Sequence, residues 1–322
     1  MSYFKIKDHS NNDSIIFLPK EEIEDNTIEI VNNLSNCKVF NHIRVMPDCH
    51  ASVNCCVGFT SEIKDRVIPN IVGGDIGCGI SSYPLNKKIK KKQYKKIDQM
   101  VKEIIPLGGN VHKISIVNDV IMNNIFKECN KKLEFLKEKF PNYPYQEFNQ
   151  NYYDKLIKKI DNKVNSNIFM RALGTLGGGN HYIEFNEDDH NKIYLTVHSG
   201  SRAIGQEICR YHQKKAKKES NQKLLQTYLE GDEMIEYLID MIFAQVFASK
   251  NREIMIQLIC REMGVEYKKE NLIETTHNYI DFSRFILRKG AISAEENEKC
   301  LISLNMRDGI LLCSGKGNRE WN

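Results

Sequence analysis

"NIVGGDIGCGI", residues 70–80, sets an aspartate and a cysteine three apart within a run of glycines. The spacing of Val67, Ile68, Ile71 and Val72 predicts a short buried strand leading into it. Gly73 and Gly74 then break that strand, and Gly77 and Gly79 flank Cys78. Glycine tolerates positive φ and lets other backbone approach closely, so Asp75 and Cys78 can turn toward one point. A carboxylate and a thiolate directed at one point suggest a metal ion, with the remaining ligands supplied from elsewhere in the chain.

Outward from this loop, strand-like and helix-like segments alternate without a linker. "SIIFLP" (14–19) predicts a strand, followed by a helix carrying Ile23, Ile30, Val31 and Leu34 on one face. "HIRVMPDCH" (42–50) predicts a strand that ends in a polar cluster. "NKKIKKKQYKKIDQMVKEII" (86–105) is basic, then amphipathic. Residues 118–166 read as helical and rich in Lys and Asn. "KIYLTVHSGSR" (192–202) is a strand running into a Ser/Gly loop, with a helix starting in "AIGQEICRYHQKKAKK". Ile235, Leu238, Ile239, Ile242, Phe243 and Val246 follow helical spacing, and Gly264 is placed to end that helix after Met263. Short strands and turns close the chain. The pattern predicts one mixed α/β (α+β) domain over residues 1–322, with functional loops at strand ends.

Lys and Arg total 46 against 42 Asp and Glu, so overall charge does not nominate a polyanion partner, and any such site is local. The first ten residues have no apolar signal core, and the apolar runs fall short of a membrane span. The ten cysteines therefore read as reduced thiols of a cytoplasmic protein with no membrane partner. Cys129, Cys209, Cys260 and Cys300 sit among apolar residues as core fillers. Cys78 differs by its context.

Three histidines share that context. His181 follows three glycines and Asn180 in "LGTLGGGNHYIE". His198 ends a strand in "LTVHSGSRAIG". His277 stands beside Asn278 in "ETTHNYID". A lone histidine near an apolar strand is usually structural. Three in polar, glycine-rich loops, together with an Asp-x-x-Cys, favour a metal site. Asp75, Cys78, His181, His198 and His277 make five donors, too many for one tetrahedral ion, and they suit two ions sharing the thiolate. Ligand softness alone favours zinc over manganese.

The "HSGSR" turn reads equally as an N-capping serine turn or as a phosphate site. In the second reading Ser199 and Ser201 lie at a helix start with Arg202 beside them and Arg171 as a further cation. The lysines at 87–96 read as a solvated helix face, with an RNA backbone as the alternative.

In order along the chain, "MPDCHA", "VGGDIGCGI", "LGGGNHYIE", "VHSGSRAIG", "HN", "RKGAISA" and "GKGN" resemble the RtcB family of GTP-dependent RNA ligases, from about Asn41 onward. The resemblance implies two Mn2+ ions on Asp75, Cys78, His181, His198 and His277. It also implies a guanylate pocket on Asn180, His181, Tyr182, Ile183, Glu184, His277 and Asn278, with Glu184 reading the base. A further nucleotide segment falls on Ser303, Leu304, Asn305 and Met306, where "SLNM" stands in place of the family's Pro-Gly-Ser-Met. The implied reaction uses GTP to join an RNA 3′-phosphate or 2′,3′-cyclic phosphate to a 5′-hydroxyl, in tRNA splicing or RNA repair, with an archease-like helper as a partner. The histidine that takes GMP in the family would fall beyond Asn322, so no catalytic residue is assigned and these 322 residues are expected to be inactive. The competing expectations are a non-ligating, metal-dependent RNA-binding protein and a dinuclear metal phosphoesterase.

Overall fold

The computed structural model describes residues 3–160, 167–219, 227–318 and 320. The chain opens with β1 (Phe4–Lys7), β2 (Asp13–Ile16) and α1 (Asp25–Ser35). Next come β3 (Asn41–Val45), the small hairpin of β4 (Ala51–Ser52) and β5 (Cys55–Cys56), β6 (Phe59–Glu62) and β7 (Arg66–Val67). The one-turn helix α2 (Pro69–Val72) leads through the glycine loop to β8 (Gly79–Pro84). Four helices follow: α3 (Tyr94–Ile104), α4 (Asp119–Lys139), α5 (Gln150–Ile160) and α6 (Asn167–Ala172). The hairpin β9 (Tyr182–Glu187) and β10 (Ile193–Ser199) precedes α7 (Arg202–Glu219), β11 (Leu229–Glu230) and the long α8 (Gly231–Glu262). Last come β12 (Ile273–Thr276), β13 (Asn278–Asp281), β14 (Ile286–Lys289), β15 (Lys299–Asn305) and β16 (Gly309–Ser314). The mixed α/β class is as expected. Of the helical middle, α4 and α5 account for most, and residues 161–166 lie outside the described residues.

One expectation is overturned. The apolar residues before the glycine loop do not form a strand. Pairing stops at Val67, and Pro69–Val72 make a helical turn with Pro69 at its first position, where its fixed φ is favourable. Alternation cannot separate four apolar residues in a strand from four in a buried turn. The proline was the available signal. The strand follows the glycines instead.

Two main sheets result, ordered β1-β2-β3-β6-β14-β13 and β12-β8-β10-β9. In the second, Gly79 pairs with both Ser199 and Thr276, and His198 pairs with Tyr182. Antiparallel register thus gathers the start of β8, the end of β10, the start of β9 and the end of β12 at one end of the sheet. Helix α8 lies against this sheet with 22 of its residues buried, which makes it a core helix rather than a surface one. Its end is as expected: Gly264 takes φ +65°, and Val265 N–H donates to Cys260 O at 2.8 Å.

Candidate metal centre

Four of the five expected donors sit at that end of the sheet. Cys78 immediately precedes β8, His181 precedes β9, His198 is the penultimate residue of β10, and His277 follows β12. Asp75 reaches them from the glycine loop. Gly77 explains the loop's composition: its φ is +72°, and an added Cβ would lie 2.7 Å from Ala248 Cβ. The loop is pinned where it turns, with Gly77 N–H donating to Asn278 O at 2.7 Å and His277 N–H to Cys78 O at 2.9 Å.

Cys78 Sγ stands 3.2 Å from His198 Nε2 and 3.5 Å from His181 Nε2. His198 Nε2 lies 3.3 Å from His277 Nε2, and His181 Nε2 lies 3.1 Å from Asp75 Oδ2. Two groups of mutually close donors form, Cys78–His198–His277 and Asp75–Cys78–His181, with the sulfur common to both. The spacing fits ligands on a common ion: tetrahedral bonds of about 2.3 Å to sulfur and about 2.1 Å to nitrogen set the two donors about 3.6 Å apart.

The ring nitrogens are oriented for this. His181 Nδ1–H donates to Leu176 O at 2.9 Å, and His198 Nδ1–H donates to Asn180 O at 3.0 Å. A carbonyl only accepts, so these bonds select the tautomer whose Nε2 carries a bare lone pair directed at the sulfur. Burial first, then the His181 imidazole beside it, lowers the His198 pKa to about 4. Burial and the neighbouring His198 lower that of His277 to about 3. Both rings are therefore neutral donors at pH 7. Burial and the facing Asp75 carboxylate push the Cys78 thiol well up, against the pull of Arg252. Bare lone pairs, a carboxylate and a thiol short of compensating positive charge converge here, and a divalent cation would supply what they lack.

Two residues of α8, which the sequence reading missed, hold the loops in place. Arg252 is fully buried and donates from Nη1 to Gly77 O and Ser199 O, both at 2.7 Å. Its Nε donates to Ser81 Oγ at 3.0 Å and its Nη2 to Glu274 Oε1 at 2.9 Å. One guanidinium thereby joins the backbone beside Cys78 and beside His198 to the strand that ends at His277. Asn251 Oδ1 accepts from Gly174 N–H and Thr175 N–H, and its Nδ2 donates to Ser199 Oγ and Gly200 O. The available signal was "SKNRE" (249–253), a polar interruption of an apolar helix.

Tyr182 OH and Ser303 Oγ meet at 2.7 Å, joining β9 to β15. Glu184 Oε1 accepts from Asn186 Nδ2 at 3.0 Å, and Asn278 Oδ1 accepts from Gly290 N–H at 2.9 Å. Asn180 is exposed and Ile183 half-buried. Leu304, Asn305 and Met306 form an exposed hairpin tip, where Asn305 Oδ1 accepts from Arg307 N–H and Asp308 N–H. Ser199 and Ser201 are buried, and Ser199 Oγ donates to Leu176 O. Arg202, at φ +59°, donates to Thr175 Oγ1 and Gly108 O, and Arg171 Nε donates to His112 O. Among the described residues no helix is long and apolar enough to cross a membrane.

Fold and site together define a mixed α/β protein with a candidate metal centre where two strands of one sheet begin and two end. Residues 29–322 match the family model described as "tRNA-splicing ligase RtcB", and the chain belongs to the RtcB family. It is 27% identical to the RNA-splicing ligase RtcB of Escherichia coli (strain K12), over 91% of this chain and 74% of that protein. It is 25% identical to the tRNA-splicing ligase RtcB of Methanococcus maripaludis, over 77% of this chain and 57% of that protein.

Proposed function

We propose that this chain acts in GTP- and Mn2+-dependent RNA ligation, joining an RNA 3′-phosphate or 2′,3′-cyclic phosphate to a 5′-hydroxyl in tRNA splicing or RNA repair. The observation that supports this best is the shared position of Cys78 Sγ between two donor groups, in a chain of a family named for RNA ligation. In this reading Cys78, His198 and His277 hold one ion, and Asp75, Cys78 and His181 hold the other. Two divalent ions, when bound, neutralise phosphoryl charge and align attacking and leaving oxygens.

The chain's own groups do the rest. The carbonyls of Leu176 and Asn180 keep the His181 and His198 lone pairs directed inward. Arg252 fixes the spacing of the loops. Asn180 through Glu184, with His277, Asn278 and Ser303–Met306, form the guanylate pocket. A carboxylate at Glu184 accepts from the guanine N1–H and N2–H, which adenine cannot match. Arg171 and Arg202 add positive charge toward RNA phosphate. A cytoplasmic location and an archease-like helper belong to the same reading.

The test uses labelled GTP, Mn2+ and RNA with 3′-phosphate and 5′-hydroxyl ends. No histidine follows His277 within these 322 residues. Fusion of these residues to a family C-terminal segment is expected to give both a protein–GMP adduct and joined RNA. A fusion that folds and binds metal but joins no ends would contradict the ligase reading. Hydrolysis of phosphate ends by that fusion would favour a phosphoesterase.

A further inference from the structure

Helix α3 is strongly amphipathic, yet none of its eleven residues is buried. Its apolar face meets the edge strand β9 only in part. A groove of about 300 Å³ remains between them, lined by Ile97 of α3 and by Ile183 and Phe185 of β9. That is the lower end of the size range of ligand sites, roughly 300–1,000 Å³. Tyr94 stands on its rim, 54% exposed. Two carboxylates also line it, Asp98 and Glu187. Asp98 is paired with Lys102 at 2.7 Å, and Glu187 makes no ion pair among the described residues.

Beside the groove lies the lysine run. Lys88, Lys90, Lys91, Lys92, Lys95 and Lys96 are exposed and make no ion pair among the described residues. An apolar slot with an exposed aromatic and a carboxylate, bordered by exposed lysines, neither in an ion pair among the described residues, matches single-stranded nucleic acid in each part. A base stacks on the aromatic ring, its amino group meets the carboxylate, and the backbone follows the lysines. An acidic polypeptide would satisfy the lysines but would leave the Glu187 carboxylate facing like charge. Strand β9 runs from this groove to His181, and at about 3.4 Å per residue Phe185 lies about 14 Å away along it.

We propose that the α3–β9 groove is a subsite for single-stranded RNA flanking the reacting ends, seating one base against Tyr94 with its backbone along Lys88–Lys96. This rests on the RNA-ligase reading, and it adds a contact remote from the metal donors.

The experiment measures binding of a fluorescent single-stranded RNA ten-mer carrying a 3′-phosphate, by anisotropy across a salt series. The proteins are the wild type, Tyr94→Ala, the quadruple variant K91Q/K92Q/K95Q/K96Q, and Cys78→Ala. Tyr94→Ala is expected to weaken binding roughly five-fold to a hundred-fold, as loss of base stacking does. The quadruple variant is expected to make the negative slope of log K against log salt shallower by up to about three, at about 0.7 per phosphate contact. Both variants are expected to keep wild-type metal content, and Cys78→Ala is expected to keep the salt slope. Wild-type affinity and slope in both groove variants would overturn the subsite while leaving the ligase reading intact. No binding of RNA by the wild type would overturn both. Weakening confined to Cys78→Ala would place RNA recognition at the metal centre and overturn the subsite.

Discussion

Cys78 Sγ and His198 Nε2 lie 3.2 Å apart, brought together because Gly79 and Ser199 pair across β8 and β10. The register of one sheet thus sets the geometry of the candidate centre. Asn180 O holds the His198 tautomer that presents a lone pair to the sulfur.

Acid should weaken the metal-free protein before it unfolds its core. His198 titrates near 4 and His277 near 3 in the folded chain, against 6.5 when unfolded. Between those values the unfolded state binds more protons, so stability rises with pH there. The contribution is fully present above pH 6.5 and is lost as pH falls toward 4. With two such groups the slope reaches at most about 2.7 kcal/mol per pH unit. Denaturant melts of metal-free protein from pH 7 to pH 4 check this, and a flat profile would contradict it.

Gly200 is packed against the Asp75 carboxylate, and an added Cβ would fall 2.0 Å from Oδ1. Gly200→Ala should displace Asp75 and destabilise the fold by about 1–3 kcal/mol. Calorimetric titration with Mn2+ should show the Asp75–Cys78–His181 group losing more affinity than the Cys78–His198–His277 group. Equal loss at both would count against this arrangement.

Arg252→Lys keeps the charge and loses the planar fork whose Nη1, Nε and Nη2 reach the two carbonyls, Ser81 Oγ and Glu274 at once. Leaving buried partners unmatched should destabilise the protein by about 3 kcal/mol or more. Metal affinity should fall as well, at a temperature where circular dichroism still reports the native fold. Unchanged affinity in a folded Arg252→Lys protein would show that the clamp serves stability alone.

How far the sequence carried this account depends on the kind of interaction. The five candidate donors stood out because each lies beside glycine, asparagine or serine, residues that shape loops, and the structure brings them close together. The long helix was legible from its apolar spacing and its Gly264 stop. The turn at Pro69–Val72 was misread, since four apolar residues fit a strand or a buried helical turn equally well. Asn251 and Arg252 were missed because their roles depend on partners 22 to 175 residues away, which no local pattern encodes. The positions of Ser303 and Tyr182 were named separately, while their contact is a product of tertiary packing.

Guanine selection should depend on Glu184. One of its oxygens accepts from Asn186, which holds the carboxylate in a defined orientation. Glu184→Ala should lower GTP affinity roughly ten-fold or more, as expected for lost hydrogen bonds to a charged group. ATP affinity should change little. Calorimetry with both nucleotides measures this, and equal affinity of the wild type for the two would contradict the proposed base contact.

The shared thiolate is the centre of the account, and anomalous diffraction at the manganese edge tests it most directly. Crystals grown with Mn2+ should show two peaks flanking Cys78 Sγ, one beside His198 and His277 and the other beside Asp75 and His181. Crystals of Cys78→Ala should lose most of both. A single peak, or two peaks retained in Cys78→Ala at wild-type height, would contradict it.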